Sequence, residues 1–185
     1  AELIRRKGDE SLDGERLRKY VESPEQHSQL RRILNFFIAL TPEGLLADLR
    51  REMKREGRRL LLALLEIHGE PARSLAFAKL KSVGEARNEQ DWYLVRNLLY
   101  LMRRIPRPAG ADLIEELQAV VRHCELGFPA PILKEAVAAL GQIKHEKAEQ
   151  ALLLLLGDIE AMLGKPAEAP YDLKELKLLL DRVLA

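Results

Sequence analysis

One cysteine and one tryptophan occur among 185 residues, and aromatic residues together supply only 5% of the chain. A lone thiol, Cys124, cannot close an internal disulfide, which excludes a disulfide-stapled fold and agrees with a reducing compartment, so the expected location is the cytoplasm. With 47% of residues hydrophobic and so few of them aromatic, Leu, Ala, Ile and Val must fill the core. That mixture suits helix-on-helix packing better than a β-sandwich. Long apolar runs are missing as well. The longest, Leu60 to Leu65 and Ala151 to Leu156, fall far below the roughly 18 to 20 residues that a membrane-spanning helix needs, so no membrane association is expected. Nor is there a charge excess of one sign. Charged residues reach 32%, yet the net charge is +1, which removes any global drive toward nucleic acid and requires a basic surface to be local.

Motifs for chemistry are absent in turn. Gly157 to Lys165 has the wrong glycine spacing for a phosphate-binding loop, and Pro166 stands where that loop needs Ser or Thr. GxSxG, HExxH, CxxC and GxGxxG patterns do not occur. His123, Cys124 and His145 form a metal set on paper only, because helical neighbours diverge by about 100°. The readings favoured for them are a small buried thiol at Cys124 and helix-end contacts for His123 and His68; His27 is expected at the surface. Glu115 and Glu116 diverge in the same way and are expected in solvent or paired with nearby Lys and Arg. Trp92, Tyr93, Tyr100 and Asp91 resemble the makings of a base-excision cradle, but Trp92 is better used in packing and Asp91 as a cap or as the partner of Arg96. No enzyme activity, metal or cofactor is expected.

What the chain does have is a repeat. Apolar residues fall at −1, +2, +3, +6 and +9 from a basic anchor. Around Arg96 these are Val95, Leu98, Leu99, Met102 and Ile105; around Lys134 they are Leu133, Ala136, Val137, Leu140 and Ile143. Arg58 gives Gly57, Leu60, Leu61, Leu64 and Ile67, and Arg31 gives Leu30, Ile33, Leu34, Phe37 and Leu40. The spacing puts one apolar stripe along each of four helices. Anchors lie 38, 38 and 27 residues apart, room for a helical hairpin each, with the first clipped near Thr41 to Arg55. Partner helices are predicted over Pro42 to Met53, Ala72 to Val83, Ala111 to Val121 and Lys147 to Leu163, and a last helix over Leu173 to Leu184 opened by Asp172 and Glu175. Ser23-Pro24-Glu25-Gln26 and Thr41-Pro42 read as helix starts, while Gly69, Pro106, Pro108 and Gly164-Lys165-Pro166 read as stops. Leu12 to Val21 is a further candidate helix.

Asp91-Trp92-Tyr93-Leu94-Val95-Arg96-Asn97 with Leu98 to Ile105, and Lys134 to Ile143, resemble the second helices of bacterial HEAT repeats. The likeness spans Pro24 to Leu163 and implies an α-solenoid that holds another macromolecule. The expected fold is therefore all-α, a HEAT-like α-α superhelix of antiparallel hairpins: residues 1–23 an N-terminal helical extension and remnant of an upstream repeat, 24–163 the repeat array, 164–185 a linker and C-terminal capping helix. The charged start from Glu2 to Glu10 reads as that of an excised fragment. Positions beside the buried stripe would line the concave side of such a solenoid. They form a basic ladder: Arg31, Arg32 and Asn35; Arg58, Arg59, Leu62 and Glu66; Arg96, Asn97, Tyr100, Arg103 and Arg104; Lys134, Glu135 and Gln142. The candidate binding residues are Arg58, Arg59, Arg96, Asn97, Tyr100, Arg103, Arg104 and Lys134, and the expected partner is an acidic protein. A nucleic-acid-binding HEAT-like module is the alternative, drawing also on Arg50, Arg51, Lys54 and Arg55, whose charges i, i+4 pairing with Glu52 and Glu56 would partly offset. A purely structural array, with Leu152 to Leu156 and Leu176 to Leu184 partly interfacial, is the third reading; core packing is preferred for those leucines.

Overall fold

The computed structural model describes residues 14–83, 89–165 and 170–184. The expectations for residues 1–13, including the start of the Leu12 to Val21 helix, and for Pro166 lie outside the described residues. Ten α-helices are described: α1 (Gly14–Val21), α2 (His27–Leu34), α3 (Pro42–Arg51), α4 (Arg55–His68), α5 (Glu70–Ser82), α6 (Glu89–Arg104), α7 (Leu113–Val121), α8 (Ala130–Leu140), α9 (Glu146–Gly164) and α10 (Leu173–Leu184). There is no strand among the described residues.

From α3 onward the helices pack as hairpins, α3 on α4, α5 on α6, α7 on α8 and α9 on α10. Each first helix also touches the next first helix, α3 to α5 to α7 to α9, and each second helix the next second helix, α4 to α6 to α8 to α10. The repeated apolar stripe causes this. Val95, Leu98, Leu99, Met102 and Ile105 are all buried, as are Leu133, Ala136, Val137 and Leu140, so α6 and α8 present a continuous apolar side to the first helices beneath them. A further copy surrounds Lys177. Leu176 and Leu179 are buried and Leu180 and Val183 pack against the core, so α10 stands to α8 and α9 as α8 stands to α6 and α7.

Boundaries follow local chemistry. The Thr41 hydroxyl accepts from the Gly44 amide at 3.3 Å to open α3, Asp172 accepts from the Glu175 amide at 2.7 Å to open α10, and Gly69, at φ 71°, turns α4 into α5. Two expectations are corrected. The Ser23 hydroxyl donates back to the Lys19 carbonyl instead of capping, and Pro24–Gln26 is a 3-10 turn before α2. The stripe around Arg31 does not run along one helix, because α2 ends at Leu34 and Leu40 lies in a second 3-10 turn, Ile38–Leu40. Thr41 already caps α3, so a helix reaching Leu40 would leave no residues for the reversal between α2 and α3. The glycine that breaks the stripe, Gly57, has a reason as well: a Cβ there would run into the Glu52 carboxylate. That carboxylate accepts from the Lys54 amide at 2.7 Å and holds the turn from α3 into α4.

A buried ionic cluster locks α5, α6 and α7 together. Arg73, on the apolar side of α5, donates to the Ile105 carbonyl at 3.0 Å and to both carboxylate oxygens of Glu116. Arg107 donates to the same carboxylate at 2.6 Å. Both glutamates are paired with Lys or Arg, Glu115 at the surface on Lys81 at 2.6 Å and Glu116 in the interior, 3% exposed. Burial alone would raise the Glu116 carboxyl, but the hydrogen bonds from Arg73 and Arg107 outweigh it and hold the group below the ordinary carboxylate range. Burial likewise depresses the imidazoles of His68 and His123, opposed in part by their bonds to the Leu40 and Ala119 carbonyls.

These shifts set the acid response. All three groups bind protons more weakly folded than unfolded, so their contributions are complete above the unfolded values, about 6.5 for the histidines and 4.3 for the glutamate, and are lost as pH falls through the folded ones. Melting temperature should decline first below about pH 6.5 and again below about pH 4.3. Glu116→Gln should cost about 3–5 kcal/mol at pH 7 in urea denaturation, and its deficit against wild type should shrink once the second window is passed.

Candidate functional site

The candidate residues lie on α4, α6 and α8, whose outward sides form one face. Between α4 and α6 runs a groove of about 390 Å³ lined by Arg55, Arg58, Arg59, Leu62, Ala63, Glu66, Arg96 and Tyr100. Four arginines against one glutamate leave this groove at +3. Its position follows from helical geometry: Arg55, Arg59, Leu62 and Glu66 recur every three or four residues along α4, as do Arg96, Tyr100 and Arg103 on α6.

Most cations of the face have partners within the chain. Arg58 donates to the Met53 carbonyl at 2.6 Å and the Glu52 carbonyl at 3.2 Å, covering the end of α3, and stacks over the Tyr93 ring at 4.6 Å. Glu66 receives the Tyr100 hydroxyl at 2.7 Å and Arg104 at 3.3 Å. Glu135, on α8, takes Arg103 at 3.2 Å and Arg96 at 3.7 Å, and Arg103 also lies 5.5 Å from the centre of the Tyr100 ring. Burial and the Glu66 contact push the Tyr100 phenol up. Arg55, Arg59 and Lys134 have no ion pair or side-chain hydrogen bond among the described residues. Arg59 and Arg55 are exposed, whereas Lys134 is half-buried.

Two candidates differ from the expectation of an exposed ladder. Asn97 is 1% exposed; its side-chain oxygen accepts from Arg96 at 3.1 Å, and its amide nitrogen has no hydrogen-bond partner among the described residues. Leu62 is buried at the floor of the groove. Asn97 follows Arg96 by one residue, so helical rotation turns it from the face into the interior. The acidic-turn pairing also runs differently. Asp91 lies within α6 and binds Arg50 of α3 at 3.3 Å, while Arg96 turns to Glu135. In the dense basic stretch, Arg50 reaches across to another hairpin and Glu52 bonds the chain turn, so contacts between helices replace the expected i, i+4 pairs.

The histidines and cysteine sit apart from this face. His123 bonds the Ala119 carbonyl of its own helix and tilts against Phe128, 5.4 Å between ring centres, and His145 caps α9 by accepting from the Lys147 amide at 3.1 Å. His68 reaches the Leu40 carbonyl at 2.7 Å, and His27, half-buried, the Val21 carbonyl at 2.8 Å. Among the described residues no group of three His, Cys, Asp or Glu could hold a metal ion, and no helix is long and apolar enough to cross a membrane. The Arg73–Glu116–Arg107 cluster was missed by sequence reasoning. Its signal was an arginine inside the apolar run of α5, between Ala72 and Ala76.

Neither a protein-family model, nor a curated protein, nor a solved structure matches the chain.

Burial pushes the Cys124 thiol up to about 12, so the nucleophilic thiolate is nearly absent at neutral pH. A disulfide reagent at pH 8 should label folded protein at least about a hundredfold more slowly than urea-unfolded protein, read as thiolate release. Equal rates would contradict the buried placement of Cys124. Tyr100→Phe removes the bond to Glu66 and should cost about 0.5–1.5 kcal/mol of stability, measured by chemical denaturation.

Proposed function

We propose that this chain is a HEAT-like α-solenoid acting as a protein-interaction scaffold, and that it binds an acidic segment of a partner protein through the basic face of α4, α6 and α8. The stacking of second helix on second helix supports the solenoid reading, since each hairpin then repeats its predecessor's contacts. In that geometry the face is the concave one. The observation that carries the functional reading is the +3 groove between α4 and α6, in which Arg55 and Arg59 stand one helical turn apart with no partner among the described residues. Elsewhere on the face Glu66 takes Arg104, Glu135 takes Arg96 and Arg103, Arg58 covers the end of α3, and Lys134 is half-buried. Binding energy therefore concentrates on Arg55, Arg59 and the edge of Arg96, with Tyr100 as a flat contact beside them. Two carboxylates about a helical turn or two residues apart in an extended segment would meet the two guanidinium groups.

The nucleic-acid reading uses the same residues, but a phosphate backbone engages a long track of unpaired cations, and here the track is interrupted by Glu66 and Glu135. Fluorescence anisotropy with an octaglutamate peptide and with a 12-nucleotide single strand separates the two. The peptide should bind, and Arg55→Glu with Arg59→Glu should weaken it about tenfold or more, equivalent to about 1.4 kcal/mol, and flatten its salt dependence. Arg122→Glu, an exposed charge on the far end of α7, should leave binding unchanged. Tighter binding of the single strand with a steep salt slope would favour the nucleic-acid module. Equal loss with Arg122→Glu would overturn a localised site.

A further inference from the structure

A second cavity, of about 210 Å³, opens where the C-terminal ends of α6 and α8 meet α5 and α7. Arg73, Arg103, Arg107 and Glu116 line it together with the amide of Gln142, and Met102, Val120 and Ala139 are among its apolar walls. Arg103 is matched by Glu135. That leaves Arg73 and Arg107 facing one carboxylate, Glu116; the buried Arg73 is matched by it, and the positive excess lies on Arg107, exposed at the mouth of the cavity. A guanidinium at the mouth of an apolar-walled cavity attracts a counter-ion. Arg107 bonds Glu116 through Nε alone, and its terminal nitrogens have no partner among the described residues. Gln142 is likewise without a side-chain bond. Donors for an anion are therefore in place, beside apolar surface that would cover an aliphatic group.

We propose that this cavity is a binding site for a monocarboxylate carried on a short aliphatic group, the carboxylate taken by Arg107 and Gln142 and the aliphatic part set against Met102, Val120 and Ala139. The positive excess on Arg107 selects an anion, and the apolar walls select one carried on an aliphatic group over inorganic phosphate. At about 30 Å³ per water-sized group the volume admits about seven heavy atoms, the size of a five-carbon acid or of the terminal part of a C-terminal leucine or valine. Both sources share the same chemistry, and a C-terminal carboxylate is a recurrent handle in peptide recognition. The site does not use the α4–α6 groove; Arg55 and Arg59 are remote from its lining, so either can fail without the other.

Nuclear magnetic resonance titration of the full 185-residue chain tests it, with isovalerate, its uncharged amide isovaleramide, inorganic phosphate, and acetyl-Ala-Ala-Leu as the free acid and as the C-terminal amide. Isovalerate should give saturable shifts at the Arg107 Nε–H, the Gln142 amide and the Met102 methyl, with isovaleramide and phosphate at least about tenfold weaker, the worth of one charge-assisted contact. Arg107→Gln should weaken isovalerate about tenfold while Arg73 still holds Glu116, verified by unchanged far-ultraviolet circular dichroism. Ala139→Leu, which fills the cavity and keeps every charge, should abolish binding. A tripeptide acid that binds more tightly than isovalerate, with its amide silent, assigns the source as a chain terminus; the reverse order assigns a free acid. Equal shifts with isovaleramide, or non-saturable shifts spread over exposed arginines such as Arg59 and Arg122, would overturn the site.

Discussion

The segment that closes each repeat stripe ends in a carbonyl that no further helical turn satisfies, and the structure is held by the side chains that reach these carbonyls from neighbouring elements. The Leu40 carbonyl takes His68, the Ile67 carbonyl takes Arg31 at 2.6 Å, and the Ile105 carbonyl takes Arg73. These three carbonyls belong to the same position of the repeat, nine residues past each anchor. A buried acceptor left bare costs more than a made bond contributes, so each contact fixes how one element sits on the next. At Ile105 the requirement escalates. The donor is a buried guanidinium whose charge must itself be matched, and Glu116 with Arg107 completes the cluster. α5, α6 and α7 are thereby tied at one end by charge and along their length by leucine.

That constraint governs what the outward face can offer. Stacking α4, α6 and α8 side by side brings Glu66 against Tyr100 and Arg104, and Glu135 against Arg96 and Arg103, so most of the positive charge on the face is consumed in joining helices. Such pairs, partly exposed and shared between hairpins, contribute little individually but fix which cations remain available. Arg55 and Arg59, at the start of α4, extend beyond the reach of Glu66, and the α4–α6 groove remains basic because of them.

Much of the fold was legible in the spacing of apolar residues. The stripe around Arg96 and the first four positions of the stripe around Lys134 are buried where the period places them, and α10 begins and ends at Leu173 and Leu184 as its Asp172 cap and leucine pattern indicate. The first copy failed for a local reason: a periodic pattern marks which residues are buried but not whether the backbone between them stays helical, and Leu34 and Leu40 are both buried on either side of a break. The site was legible as a set of residues and not as a set of charges. Anchors and their neighbours could be placed on one face by helical rotation, whereas the pairing of Arg96 with Glu135, or of Asp91 with Arg50, depends on distances between hairpins that one-dimensional spacing does not encode. Asn97 shows the limit most clearly, since a rotation of one residue moves it from the face into the interior. Glu116 shows the converse: pairing with a cation was among its expected roles, but its burial was not, because its two arginines are 43 and 9 residues away.

The central claim is that an acidic segment settles on the outward sides of α4 and α6. The most direct measurement is a map of backbone and arginine Nε–H shifts as octaglutamate is added to isotopically labelled protein. The account predicts saturating shifts centred on Arg55, Arg59, Arg96 and Tyr100, with α7 and α9 unmoved. Shifts centred on Arg50, Arg51 and Lys79, across the first helices, would contradict it.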